Sequence, residues 1–165
     1  MRLILWRLAE GFALVAGVVL MAIVLVTTTN AGAFIADRVA GLFGGDVSAL
    51  PGYEDFVRLA ISAAALMFFP YCQLKRGHVA VDLLIARAPP AVQRGVDRLW
   101  LGVTVLIAGF LCWWMVLGLA EKHDDGVVTR VLGWPEWPFY VPGIASLILW
   151  GLIALSQMSG RAPHD

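Results

Sequence analysis

The sequence predicts an all-α integral membrane protein with four transmembrane helices and short interfacial amphipathic helices, and three observations carry that prediction. Of the 165 residues, 60% are hydrophobic and 15% charged, with a mean hydropathy of +0.80, far more apolar than a soluble domain of this length requires. Four windows with few or no charges reach the roughly 20 residues that a helix needs to cross a bilayer. Eight of the twelve basic residues fall at the two termini and in the connection between the second and third windows, segments that share one side when a chain threads a membrane four times.

The first span, about residues 11–29, carries Ala9, Ala13 and Gly17 along its near end at four-residue intervals. This is either a small-residue ridge for close helix approach or a by-product of Ala/Gly-rich composition. Arg2 and Arg7 ahead of it and Ala31-Gly32-Ala33 behind it resemble a cleaved secretory signal. A run of about 19 apolar residues exceeds the usual ~7–15 of a signal core, so an uncleaved span is expected. Ile35, Val39 and Leu42 then predict a short amphipathic helix over about 34–43, ending at Gly44-Gly45 and lying on the outer interface.

The second span, about 56–74, opens with Glu54, Asp55 and Arg58. The four-residue step lets Glu54 and Arg58 meet on one helix face, and a bond from Arg58 to a partner subunit is the competing reading. Either accounts for an arginine one turn inside a span better than a conducted ion does. Pro70 is expected to kink the end of this span. After Lys75 and Arg76, the apolar positions Val81, Leu84, Ile85 and Ala88, then Val92, Val96 and Leu99, predict amphipathic helices over about 79–98, interrupted at Pro89-Pro90 and lying flat at the inner surface.

The third and fourth spans cover about 99–119 and 138–155, with Pro142-Gly143 marking an irregularity in the last. Trp113, Trp114, Trp134, Trp137 and Tyr140 form an aromatic belt at the outer interface. The inverted repeats that build many self-sufficient transporters are not visible, so residues 1–165 read as a single membrane domain.

The net charge is zero, which suggests no nucleic-acid partner; the side on which charges fall says more. Arg2, Arg7, Lys75, Arg76, Arg87, Arg94, Arg98 and Arg161 share one side, whereas the other holds Arg38, Lys122 and Arg130 among eight acidic residues including Glu54, Asp55, Glu121 and Glu136. The positive-inside rule puts both termini of this multi-pass protein in the cytoplasm.

Catalytic constellations are absent from the sequence. Haem ligation needs histidines within the spans, but His78, His123 and His164 lie outside them, and Cys72 and Cys112 have neither pairing nor metal spacing. His123, Asp124 and Asp125 are of types that ligate metals, although a solvated loop accounts for them more simply. No cofactor and no metal is therefore expected, and no enzyme activity. Glu10 is the one carboxylate that suits a self-contained, homo-oligomeric multidrug-type transporter, yet Arg7 at i−3 offers it a simple ion pair.

Four elements taken in order resemble the small, DctQ-like membrane subunit of tripartite ATP-independent periplasmic (TRAP) transporters. They are Glu54-Asp55-Phe56-Val57-Arg58, the turn Lys75-Arg76-Gly77-His78, the segment Val79-Ala80-Val81-Asp82-Leu83-Leu84, and Trp134-Pro135-Glu136-Trp137 leading to Pro142-Gly143. The resemblance runs from about residue 53 to 156; Leu59 departs from it where an aromatic is common, and the Gly-rich first loop does not align. It implies a scaffold for a large transport subunit, in a system where a periplasmic binding protein delivers an organic acid and an ion gradient drives uptake. Membrane lipid is the remaining partner. Under this resemblance Glu54, Arg58, Gly77, His78, Asp82, Trp137 and Pro142 are the structural or subunit-contact candidates, with Gly77 permitting a bend and His78 and Asp82, one turn apart, holding it.

The predicted orientation has a direct check. A cysteine placed between residues 75 and 98, in a background lacking Cys72 and Cys112, should resist a membrane-impermeant thiol reagent in intact cells; ready labelling inverts the topology.

Overall fold

The computed structural model describes residues 2–75 and 89–159. Its helices are α1 (Arg2–Gly41), α2 (Tyr53–Met67), α3 (Phe69–Leu74), α4 (Pro90–Asp124) and α5 (Tyr140–Ser159), with a 3₁₀ turn over Trp137–Phe139 leading into α5. Four rods, α1, α2 with α3, α4, and α5 with its turn, are long and apolar enough to cross a membrane. The chain is thus an all-α membrane protein, as its composition predicts.

The rods are not arranged as a closed bundle. α5 packs on α2, α3 and α4, and α1 packs mainly on α2 and α3, so α1 and α4 form opposite edges. Burial follows this order: 39% of the most apolar window is buried in each of the two central rods, against 11% in α1 and 6% in α4. Ala108, Leu147 and Trp150 form the contact between α4 and α5, where Phe69 meets the Trp150 ring at 5.0 Å.

The seam of α1 is Ala9, Ala16, Ile23 and Asn30, all buried and seven residues apart. Ala9 lies against Leu149 and Ile153, and Ala16 against Ala64 and Met67. A seven-residue period belongs to helices wound left-handedly about each other. The ridge expected at Ala9, Ala13 and Gly17 therefore holds only at its first member. Nothing lies within 4 Å of where a Cβ on Gly17 would stand, because a four-residue step drifts off a seam of period 3.5.

Residues 34–41 do not form a separate interfacial helix; they continue α1. No proline interrupts the chain before Pro51, and a lone Gly32 costs only about 1 kcal/mol in a helix already propagating. Thr27 and Thr29 donate their hydroxyls back to the Ile23 and Leu25 carbonyls, so they do not compete with the helix. At 40 residues, α1 is about 60 Å long, twice the roughly 30 Å of a hydrocarbon core. The following loop folds back on the projecting part, with Leu50 N–H donating to Asn30 and Val47 N–H to Asp37. Residues 90–98 likewise are the opening turns of α4, since proline is tolerated at a helix start. The rest of the expected surface segment, 79–88, lies outside the described residues together with Gly77, His78 and Asp82.

Pro70 breaks the second rod as its chemistry requires. It has no N–H for the carbonyl of Leu66 four residues earlier, and the helix is interrupted at Phe68. Ser146, fully buried on α5, donates its hydroxyl to that carbonyl at 2.6 Å. Pro142 leaves α5 unbroken because it falls in the first turn; the irregularity expected there is the 3₁₀ turn just before it. Side chains of α2 and α4 pack directly on Gly143, where a Cβ would stand 2.8 Å from Met115 Cε and 3.0 Å from Leu66 Cδ1.

Ser146→Ala should therefore lower stability by about 0.6–1.7 kcal/mol, the range for hydrogen bonds between membrane helices, in thermal unfolding in detergent. Combined with Pro70→Ala, which returns an N–H to the Leu66 carbonyl, its cost should fall to near zero.

Candidate functional site

The charged residues converge at the end of the molecule that carries the loops. Glu136, 7% exposed, stands just before the 3₁₀ turn. Arg58, from the second turn of α2, places Nη2 2.6 Å from Glu136 Oε1, and Lys122, from the last turn of α4, places Nζ 3.2 Å from Oε2. One carboxylate thus ties three of the four rods together. The basic residue at the end of α4 also faces the negative pole of that helix, where a cation is favoured.

Arg58 does not pair with Glu54, the neighbour that spacing offers. Glu54 is exposed and accepts a hydrogen bond from the Tyr53 hydroxyl at 3.2 Å. An exposed i,i+4 pair contributes only a few tenths of a kcal/mol, whereas a buried carboxylate left without a cation is strongly unfavourable. Arg58 goes to the anion that needs it.

Asp55 makes the second link at this end. Its Oδ2 accepts the N–H of Val131 at 2.8 Å and of Leu132 at 3.3 Å, and the Thr129 hydroxyl donates to the same carboxylate. Thr129 also closes the loop on itself, pairing with Trp134 through backbone and hydroxyl. Gly52 lets this loop sit over the start of α2. Its φ of 79° suits glycine, and a Cβ would stand 2.7 Å from Leu132.

Trp137 meets His123 edge to face at 5.5 Å. His123 Nδ1 lies 3.4 Å from Asp124 Oδ1, both exposed, so these residues form a surface pair at the end of α4. Pro142 lies one turn beyond the joint, next to the close approach at Gly143. Glu10 is half-buried on α1, and among the described residues it makes no ion pair with Arg7.

The opposite end is held by amides. Gln73, 6% exposed at the end of α3, donates Nε2 to Gln157 Oε1 at 2.8 Å; Gln157 donates its own Nε2 to the Gln73 carbonyl, and Trp150 Nε1 donates to Gln73 Oε1. Lys75 lies over the rings of Trp6 and Tyr71, at 5.9 and 5.7 Å, a cation–π arrangement linking the start of α1 to the end of α3. The outward faces of α1 and α4 are apolar, with Leu14, Val18, Phe110, Trp113 and Trp114 all more than half exposed.

Sequence reasoning placed Arg58 in the site and missed its partner, along with the Asp55 cap and the amide lock. A usable signal existed. Glu136 sits between tryptophans and prolines at the mouth of an apolar span, and such a carboxylate requires a cation from another rod.

The joint makes a graded prediction. Glu136→Ala strands two cations and should cost about 1.5–3 kcal/mol, the scale of a hydrogen bond to a charged group. Arg58→Ala leaves Lys122 on the carboxylate and should cost less, in thermal unfolding of the purified proteins.

Comparison with protein families matches residues 39–163 to the family described as tripartite ATP-independent periplasmic transporters, DctQ component. The matched region contains the ionic joint, the Asp55 cap and the amide lock. Comparison with curated proteins and with solved structures finds no significant match. With well over half of its length matched, the chain belongs to the DctQ family, the small permease component of TRAP transporters.

Proposed function

We propose that this small subunit is a scaffold that anchors and orients the large membrane subunit of its transporter, which carries substrate and coupling ion. The observation behind this reading is where the molecule spends its charges and where it leaves apolar surface. The Arg58, Lys122 and Glu136 side chains are engaged with one another and Asp55 with loop N–H groups, so the polar chemistry holds the rods in place. The free faces are those of the edge helices α1 and α4. Apolar, aromatic-rich helix faces associate through packing with another membrane helix surface.

In this reading a periplasmic binding protein delivers an organic acid and an ion gradient drives uptake, both as the family implies. Both termini are cytoplasmic, with Arg7, Lys75, Arg94 and Arg98 gathered on that side in accord with the positive-inside rule. The projecting end of α1 then reaches into the periplasm. Glu54, Arg58, Trp137 and Pro142 act by shaping the periplasmic end of the frame, and Gly77, His78 and Asp82 by setting the cytoplasmic corner. Membership of a multi-component family leaves the self-contained transporter built on Glu10 without support.

The test is assembly together with uptake. Arg58→Ala and His78→Ala should reduce co-purification of the large subunit and lower uptake in proportion, with substrate preference unchanged. Full recovery of the complex with an altered substrate profile would show that this subunit contacts substrate, and the scaffold reading would fail.

A further inference from the structure

Beside the ionic joint, between α2 and the α4–α5 pair, is a cleft of about 240 Å³. Arg58 and Glu136 form its polar end, and Leu59, Ala63 and Met115 are among its apolar walls. We propose that this cleft binds one anionic phospholipid, its phosphate on Arg58 and an acyl chain along the apolar walls.

The axial distance from Arg58 to Lys75 along α2 and α3 is about 26 Å at 1.5 Å per residue, close to the roughly 30 Å of a hydrocarbon core. With Lys75 at one interface, Arg58 stands about 4 Å inside the other, a depth from which its side chain reaches the headgroups. Leu59, Ala63 and Met115 lie on the membrane side of it.

Two cations share the single carboxylate of Glu136. The neighbouring Asp55 is 9% exposed and accepts two loop N–H groups, and the Arg58 charge also acts on it, so what Arg58 offers a ligand is its unused N–H donors and not an unbalanced charge. The Arg58 side chain remains 62% exposed, and among the described residues its one hydrogen bond to another side chain is that to Glu136. A guanidinium keeps further N–H donors in a planar fork that suits a phosphate. A guanidinium in a cleft whose lining also includes Leu59, Ala63, Met115 and Phe139 matches an amphiphile, and a soluble anion would use only the guanidinium.

The proposal stands apart from the scaffold reading and needs only the membrane. The purified protein is delipidated in mild detergent, given phosphatidylglycerol or phosphatidylethanolamine of identical chains, and examined by native mass spectrometry and thermal shift. Phosphatidylglycerol should bind with a stoichiometry of one and about fivefold more tightly than phosphatidylethanolamine, the discrimination one basic residue supplies at a membrane surface. Arg58→Gln should erase that preference. Ser62→Trp, an exposed position lining the cleft, should block retention while leaving the joint and the unlipidated melting temperature intact. Equal retention by wild type and Ser62→Trp would overturn the proposal, as would stabilisation by soluble glycerol phosphate equal to that by the lipid.

Discussion

Glu136 is where the requirements of the bilayer and of the fold meet. A carboxylate that is nearly enclosed at the mouth of a span is tolerable only with cations against it, and no residue close to it in sequence supplies both. Arg58 comes from α2 and Lys122 from the end of α4, so neutralising one charge fixes the mutual position of three rods. The loop between α4 and α5 is then short of freedom, and the Asp55 carboxylate collects two of its N–H groups. Both links start from the first two turns of α2, so the register of that helix governs the whole loop end.

The same constraint acts on uncharged groups deeper in the molecule. In hydrocarbon an unpaired backbone carbonyl has no water to turn to. Pro70 creates one at Leu66, and Ser146 on the neighbouring rod meets it. Gln73, Trp150 and Gln157 do for the terminal end what the ions do for the loop end. α2, α3 and α5 are therefore joined at both ends and at one point between, which leaves α1 as a flank held mainly by small residues and apolar contact, and α4 as a flank held by apolar packing and by Lys122 at the joint. A frame of this kind keeps its polar groups inside and offers apolar faces outward.

Much of this was legible in the sequence, because bilayer thickness and charge placement act on composition directly. Four spans, the break at Pro70 and the exceptional position of Arg58 all followed from length, proline chemistry and the cost of charge in lipid. The partner of Arg58 was not legible, because it lies 78 residues away and the local alternative, Glu54, satisfied the spacing rule. Periodicity also misled at 34–43, where an amphipathic pattern reads the same whether a helix starts afresh or carries on from the one before. The seam at Ala9, Ala16, Ile23 and Asn30 depended on which helix packs against α1, and a single sequence does not carry that.

If the ionic joint sets the frame on which the large subunit assembles, assembly should follow the charges of Glu136, Arg58 and Lys122. Glu136→Arg alone puts three cations together, and its complex with the large subunit should not be recoverable from membranes. Adding Arg58→Glu and Lys122→Glu rebuilds the joint with every sign inverted, and recovery should return. Full assembly with Glu136→Arg alone would show that the joint does not set the frame.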